Sequence, residues 1–460
     1  MNIPFPDLTP AMPEVIITAA AVLLLMLELL FKNKAVLALA GVITAGAVLY
    51  FLPASMGETF DGMFISDRYS LYFKLIFMVN LVLTILISIK YFQKQDEETG
   101  EHYSLLLFAT AGMMIMASAK DLIVLYLGLE LMALSTYVMA GIRRQNIKSN
   151  EAALKYFLLG AFSSALLLYG ISLLYGMTTT TDIYAIAEHI NEIGSTHAFT
   201  AALVLIISAF AFKIAAVPFH MWAPDVYEGA PSPVTAFMSV GPKAAGFAVL
   251  GRVLFVAFSE VQADWTAILI AISIATMAAG NILALVQTNI KRMLAYSSVA
   301  HAGYALIGII AGTEQGLNAM MAYMMIYAFM NIGAFAIVIL MDRGKDVSDY
   351  EGLSKERPVA ALLMLIFMFS LTGIPPTAGF IGKFNIFLAA VEAGYTWLVV
   401  VAVIFSAMSA YYYLRIVRNM YMREARDRIL ITRSLTLDFA LLITAVMTVL
   451  IGVLPSILVR

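Results

Sequence analysis

Long apolar stretches, separated by short polar connections, make up most of this chain. The hydrocarbon core of a bilayer is about 30 Å thick, which a helix of about 20 apolar residues can cross. The pattern predicts fourteen such spans and therefore an all-α polytopic membrane protein, with one membrane domain over 1–460. The predicted spans are 13–31, 36–52, 69–89, 103–119, 122–141, 152–176, 200–217, 234–258, 265–286, 293–311, 317–341, 359–390, 397–420 and 437–458. The fourth is short, and the region 218–233 is too polar for an ordinary span.

Basic residues in the connections between spans predict the orientation of the chain. Nineteen lysines and arginines fall in alternate connections, whereas the other side carries only Arg68, Lys120 and Arg460. By the positive-inside rule the first set is cytoplasmic, so both termini face outward. The alternation persists through all fourteen spans, which supports their number.

Among the charged residues inside predicted spans, five lie where the chain can least accommodate charge, namely Glu130, Lys155, Lys213, Lys243 and Lys383. A charged side chain at the bilayer centre costs at least roughly 2.5–3.5 kcal/mol, so it is usually retained for a pathway or a relay. Snorkelling rescues a lysine near a helix end but not at mid-depth. Lys155 lies one turn from the cytoplasmic end of its span, so it could snorkel. We predict that the five form a chain of protonatable groups.

Other polar residues in or near the spans have weaker interpretations. Lys74, about one turn from the outer end of its span, is interpreted as structural, while Arg252 remains undecided. The tyrosines at 411–413 suit an aromatic belt at the cytoplasmic interface. The predicted loops contain His102, His189 and His197, and nothing in the sequence around them predicts a function.

Composition supports the membrane class and excludes several kinds of chemistry. The chain is 62% hydrophobic and 13% charged, which no soluble domain of this length would be. Its net charge of −2 gives no reason to expect nucleic acid as a partner. The lack of cysteine excludes disulfides and thiolate-ligated iron–sulfur clusters. Neither metal-site histidine spacing nor a phosphate-binding glycine loop is present, and the first apolar run is expected to be a retained helix.

Two segments echo each other and suggest an internal repeat. FAFKIAAVP at 210–218 and FMFSLTGIP at 367–375 both place a proline inside an apolar segment. A proline within a helix removes a backbone hydrogen bond and breaks the helix. The two segments run in opposite directions, so 103–258 and 265–420 are predicted to be inverted repeats, followed by a terminal helix at 437–458. Their seventh and twelfth spans would be broken helices, as in ion-coupled transporters.

Three motifs carry a family resemblance that covers essentially the whole chain. KIAAVPFHMWAPDVYEGAPSPVTAFMSVGPKAAG at 213–246 resembles the antiporter-like subunits of respiratory complex I and of Mrp-type sodium/proton antiporters. NIKRMLAYSSVAHAGY at 289–304 is similar to their tenth span. LTGIPPTAGFIGKF at 371–384 resembles the subunit N family of proton-pumping NADH:quinone oxidoreductases, because subunit M usually has glutamate in place of Lys383. An Mrp-type antiporter subunit remains an alternative.

The resemblance implies roles for particular residues. Glu130 would pair with Lys213, Lys243 would be the central lysine, and Lys383 would end the relay. Lys155 would match an additional lysine of the sixth span. The resemblance also adds His301 to the set, although a lone buried histidine is more often a satisfied core residue than a relay member. Its neighbours Ser297, Ser298 and Tyr304 could line a wetted path or simply satisfy the ring.

The resemblance therefore implies a proton-translocating membrane subunit driven by redox chemistry elsewhere. No cofactor is expected in this chain, and NAD, FMN, iron–sulfur clusters and quinone are expected on partner subunits. The partners would be neighbouring antiporter-like and small membrane subunits of complex I, together with lipids and protons. The expected location is the prokaryotic plasma membrane or an equivalent energy-transducing membrane. A purely structural membrane spacer with inherited motifs is the third alternative.

Overall fold

The computed structural model describes residues 6–31, 34–94, 100–193, 196–341, 344–425, 431 and 434–458. Six basic residues used to predict the orientation lie outside these ranges: Lys32, Arg343, Arg426, Arg428, Arg433 and Arg460. Within the described ranges the fold is almost entirely helical. One small antiparallel hairpin joins β1 (Gly57–Thr59) to β2 (Phe64–Ser66).

The first half of the chain contains nine of the helices. They are α1 (Met12–Leu27), α2 (Ala35–Phe51), α3 (Arg68–Lys94), α4 (Glu101–Ser118), α5 (Leu122–Ala140), α6 (Ile147–Thr178), α7 (Ile183–Ile193), α8 (His197–Lys213) and α9 (Trp222–Gly229). The second half contains another nine. They are α10 (Ser232–Val256), α11 (Gln262–Leu285), α12 (Ile290–Ile310), α13 (Glu314–Leu340), α14 (Leu353–Glu356), α15 (Pro358–Thr372), α16 (Ala378–Glu392), α17 (Thr396–Met422) and α18 (Leu435–Val453).

Eleven helices in the described part of the chain are long and apolar enough to cross a membrane. The prediction of an all-helical membrane protein is therefore confirmed. The other three predicted spans correspond to α4, to the α8–α9 region and to the α15–α16 pair. The region predicted to be too polar, 218–233, contains the eight-residue helix α9, so an ordinary span is absent from it as expected.

Two helices are interrupted where the sequence predicts a break. Helix α8 ends at Lys213, and the chain passes the cis Val217–Pro218 bond before α9 begins. Helix α15 ends at Thr372, where Gly373 (φ +91°) adopts the left-handed conformation that glycine tolerates best. Proline lacks the N–H needed to continue either helix. Both interruptions leave helix-terminal carbonyl groups inside the protein.

Three helices form the centre of the bundle. In the most apolar stretch of each helix, every residue of α13 is buried inside the protein, as are 94% of the residues of α12 and 89% of those of α10. By contrast, only 28% of the residues in that stretch of α17 are buried. Polar and charged side chains are tolerated within a membrane where they face protein rather than lipid. The central helices are therefore the places where a buried polar site can be built.

Corresponding connections in the two halves share one local structure. Asp121 caps α5 by accepting hydrogen bonds from the N–H groups of its first turn, and Asn289 caps α12 in the same way. Asp121 forms an antiparallel bridge with Asp182, and Asn289 forms one with Asp346. The short polar side chain satisfies N–H groups that lack partners at a helix start. The same cap and bridge thus recur before two helices of the core.

Candidate functional site: a buried line of polar and charged residues

Lys243 lies on α10 at the centre of the protein and is 2% exposed. Its Nζ donates to the carbonyl oxygen and to the Oγ of Ser298 on α12, each at 2.8 Å. Within the described ranges it makes no ion pair with a carboxylate at 4.0 Å or less. The ammonium is therefore held by neutral oxygens, an arrangement compatible with both the ammonium and the neutral amine.

His301 lies three residues after Ser298 on the same helix and is 2% exposed. Its Nδ1 is 2.5 Å from the hydroxyl of Tyr323 on α13, and its Nε2 is 3.1 Å from that of Tyr413 on α17. The Tyr413 hydroxyl also bonds to Ser297 on α12. Both ring nitrogens are thus hydrogen-bonded to groups that can donate or accept, as proton exchange through a histidine requires.

Lys383 lies on α16, just beyond the second helix break, and is 4% exposed. Its Nζ donates to Leu371 O at 3.2 Å and Thr372 O at 2.9 Å. These carbonyls end α15, where the helix dipole leaves partial negative charge. Ser406 Oγ completes the set at 2.9 Å, and the Tyr304 ring centroid lies 4.7 Å away. The break therefore provides the oxygens that hold this ammonium group.

Lys213 is the last residue of α8 and is 3% exposed. Its Nζ is 3.4 Å from the Tyr137 hydroxyl on α5. Glu130, also on α5, accepts a hydrogen bond from Ser164 on α6 instead. No ion pair of 4.0 Å or less joins Glu130 to Lys213 in the described part of the chain, although the carboxylate still acts on the ammonium electrostatically. The structure therefore brings the expected partners near each other without direct contact.

Lys155 lies apart from the buried line. Its side chain is 41% exposed and makes ion pairs of 2.7 Å with Glu151 and Asp225. It therefore reaches toward the end of its helix, as a snorkelling lysine does. This position belongs to the cytoplasmic end predicted from the loop charges, not to mid-depth.

A network of ion pairs connects α6, α9 and α12 beside Lys155. Asp225 pairs with Arg292 at 2.7 Å, and Glu228 pairs with Arg292 at 3.0 Å and with Lys148 at 2.7 Å. Asp225 and Glu228 lie on the helix α9, where they bind residues of two other elements.

Arg252, which the sequence left undecided, is a structural anchor. Its guanidinium makes two parallel bonds to the Asp67 carboxylate at 2.8 and 2.9 Å, and its Nε donates to Ala117 O at 3.2 Å. Burial alone would raise the pKa of Asp67, but bonds and charge from Arg252 outweigh it and hold that pKa below its usual range. The pair joins α10 to the residues preceding α3.

Lys74 is also paired, as a structural role requires. Its Nζ is 2.8 Å from Glu14 Oε1 on α1, and the two side chains are 0% and 6% exposed. The sequence placed Lys74 correctly near a span end but provided no reason to pair it with Glu14.

The interpretations of the tyrosine belt and of the three loop histidines were wrong. Tyr412 and Tyr413 are fully buried, and only Tyr411, at 63% exposed, has the position expected for a belt residue. His102 lies in α4, fully buried, with its Nε2 3.0 Å from Ser88 Oγ. His189 lies in α7, and His197 is the first residue of α8. A signal for the buried tyrosines was available, because Ser409, Tyr412 and Tyr413 recur at helical spacing and predict one polar face on α17.

The interrupted helices, and the buried lysines beside them, define the class of antiporter-like membrane proteins. The family described as "NADH:quinone oxidoreductase/Mrp antiporter, TM" matches residues 119–409. The chain is 50% identical to NADH-quinone oxidoreductase subunit N 1 of Thermodesulfovibrio yellowstonii, covering 97% of each chain. It is 48% identical to subunit N 2 of Rhizobium meliloti, covering 97% of this chain and 95% of the relative. The chain belongs to the subunit N family of the NADH-quinone oxidoreductases.

Solved structures share this fold. A chain of respiratory complex I from Thermus thermophilus superposes with a TM-score of 0.83 at 33% identity, covering 97% of this chain and 98% of that one. A chain of the Mrp complex from Dietzia has a TM-score of 0.85 at 20% identity, covering 98% of this chain and 96% of that one. The second likeness is one of fold alone.

Among the described residues, no group of three or more His, Asp or Glu side chains could hold a metal ion.

Proposed function

We propose that this chain is a proton-translocating membrane subunit of an NADH:quinone oxidoreductase, and that its protons pass from Lys243 by way of His301 to Lys383. The observation that carries this proposal is the buried line itself. Lys243 contacts Ser298 of α12, His301 lies on the same helix, and Tyr304 of that helix lies against Lys383. A lysine held by neutral oxygens and a histidine bonded through both ring nitrogens are groups that can receive a proton and release it.

Glu130 and Lys213 are proposed to control the proton affinity of Lys243. The energy of an ion pair depends steeply on distance where water is excluded. Movement of Glu130 from Ser164 toward Lys213 would change the electrostatic environment of the adjacent part of α10. The close packing of Gly246 against Ile214, next to Lys213, supports this connection between the two helices.

Lys155 is proposed to act at the cytoplasmic entrance. Together with Asp225 and Arg292 it forms a charged surface from which protons could be collected. Its exposure suits exchange with solvent rather than transfer at mid-depth.

The energy for transport has to come from partner subunits. Moving one charge against 100 mV requires about 2.3 kcal/mol. We propose that NAD, FMN, iron–sulfur clusters and quinone are bound by those partners, which would include neighbouring antiporter-like and small membrane subunits. Lipids would cover the remaining apolar surface of this chain.

We also propose that 103–258 and 265–420 are inverted repeats, with the terminal helix outside them. The recurrence of the cap and bridge at Asp121 and Asn289 supports this, as does one interrupted helix in each half. Helix α4 and the two interrupted regions would complete fourteen crossings, with both termini outward in a plasma membrane or an equivalent energy-transducing membrane.

The test is proton uptake by membrane vesicles during NADH oxidation. Lys243→Ala should leave assembly intact on native gels, because an apolar helix remains, but should abolish most of the uptake. Normal uptake by the assembled variant would contradict the proposal and favour a structural spacer. Purification without flavin- and cluster-containing partners would instead favour an Mrp-type antiporter.

A further inference from the structure

Asn281 is a fully buried residue of α11 that belongs to no predicted relay. Its Nδ2 donates to the Tyr304 hydroxyl at 3.1 Å and to Met277 O at 2.8 Å. Its Oδ1 accepts from the Tyr412 hydroxyl at 3.1 Å. One amide therefore connects tyrosines from α12 and α17 in a region closed to solvent.

The tyrosine bound by Asn281 also contacts the terminal lysine of the buried line. The Tyr304 ring centroid lies 4.7 Å from Lys383 Nζ, within the range of a cation–π interaction. Tyr304 and Asn281 are 1% or less exposed, so water does not weaken this contact as it would at the surface. The position of the Tyr304 ring thus forms part of the environment of the ammonium group.

The geometry points to Asn281 as a positioning residue for Lys383: it holds Tyr304 against the ammonium group while Tyr412 holds the amide in place. This inference rests on the proposed role of Lys383 in proton transfer. We define the Asn281 clamp as Asn281, Tyr304 and Tyr412. None of the three is proposed to carry a proton, and their effect on transport is exerted through Lys383.

The chemistry of the amide explains why asparagine suits this position. An amide group presents a donor and an acceptor on opposite sides, and neither changes with pH. It can therefore accept from Tyr412 and donate to Tyr304 at the same time, whichever protonation state Lys383 has. A leucine has a similar size but makes neither bond, which would leave both hydroxyls without this partner in a buried site.

The decisive experiment is a double-mutant cycle in the assembled complex. Asn281→Leu should lower NADH-driven proton uptake about three- to tenfold, as expected for loss of one or two buried hydrogen bonds. Tyr304→Phe keeps the ring and removes only the hydroxyl, and it should lower uptake by a similar factor. Adding Asn281→Leu to Tyr304→Phe should then cause no further loss, because residues that act through one contact are not additive.

Asn419→Leu is the matched control. Asn419 is also a buried asparagine, on α17, but its Nδ2 donates to Val347 O at 3.1 Å and to no other described residue. The control should retain uptake in proportion to the assembled complex. If Asn281→Leu fails to assemble, Tyr412→Phe takes its place in the cycle. Adding Tyr412→Phe to Tyr304→Phe should then cause no further loss of proton uptake.

Three results would overturn the clamp. They are full uptake by assembled Asn281→Leu, additive losses in the double variant, and an equal loss in the Asn419→Leu control. Any of these, combined with lost uptake in Lys243→Ala, would reject the clamp and retain the proposed function. Normal uptake in Lys243→Ala would reject the proposed function independently.

Discussion

The Lys213 ammonium lies 3.4 Å from the Tyr137 hydroxyl, whereas the carboxylate expected to pair with it, Glu130, is bound to Ser164. We propose that the carboxylate has two arrangements, one on each partner. A change between them would alter the charge near the first helix break. The proposed control of the proton affinity of Lys243 depends on which of the two partners binds Glu130.

Removing the Ser164 hydroxyl should therefore disturb transport. Ser164→Ala takes away the bond that holds Glu130, and bonds to charged groups contribute about 1.5–3 kcal/mol. We expect proton uptake per NADH oxidised to fall about tenfold while assembly persists. The control is Ser163→Ala, because the neighbouring serine donates only to Ala209 O. Equal effects of the two substitutions would argue against a specific role for the Glu130 bond.

Lys243→Arg distinguishes a relay from a fixed charge. Arginine keeps its proton under these conditions, so it can maintain a charge but cannot pass a proton on. Uptake should fall at least about tenfold, which corresponds to about 1.4 kcal/mol. Lys355→Arg is the comparison, since Lys355 is an exposed lysine paired with Glu424 and should tolerate arginine with little loss. Near-normal uptake in assembled Lys243→Arg would leave the relay role of Lys243 without support.

Tyr413 should matter through its hydroxyl. Tyr413→Phe preserves the buried ring but leaves Nε2 of His301 and Oγ of Ser297 without this partner. We expect proton uptake to fall about three- to tenfold, the change for one lost buried bond or two. Tyr411→Phe changes an exposed tyrosine of the same helix and should have no effect. A Tyr413→Phe variant that pumps like the parent would show that His301 does not depend on this hydroxyl.

Asp67 should contribute stability in a defined pH range. Its pKa is lowered in the folded protein, so its contribution is complete above the usual pKa of an aspartate and is lost as pH falls through the lower folded value. Asp67→Asn should therefore reduce the thermal stability of the purified complex at pH 7. The difference from the parent should shrink below about pH 4. A difference of constant size across this range would exclude the ionised carboxylate as its cause.

The sequence alone determined which segments are membrane-length apolar helices and where two of them break. Apolar length sets which segments can cross a membrane, and proline at 218 and 375 sets where two helices have to stop. These are local properties of the backbone, so they can be read along the chain. The cost of burying charge likewise predicted a function for Lys213, Lys243 and Lys383, and it left open whether Lys155 snorkels.

Only the tertiary structure decided which partners those residues have. Ser298, rather than a carboxylate, accepts hydrogen bonds from the Lys243 ammonium. Carbonyl oxygens at the end of α15 accept those from Lys383. Tyr413 enters the site because its hydroxyl reaches His301 on α12, 112 positions away in the chain. Asn281 enters because α17 packs against α11, where Tyr412 meets it from 131 positions away. Hydrophobic periodicity shows which residues can be buried, but a nearly uniformly apolar helix has no sequence signal for which neighbour its polar side chains will meet.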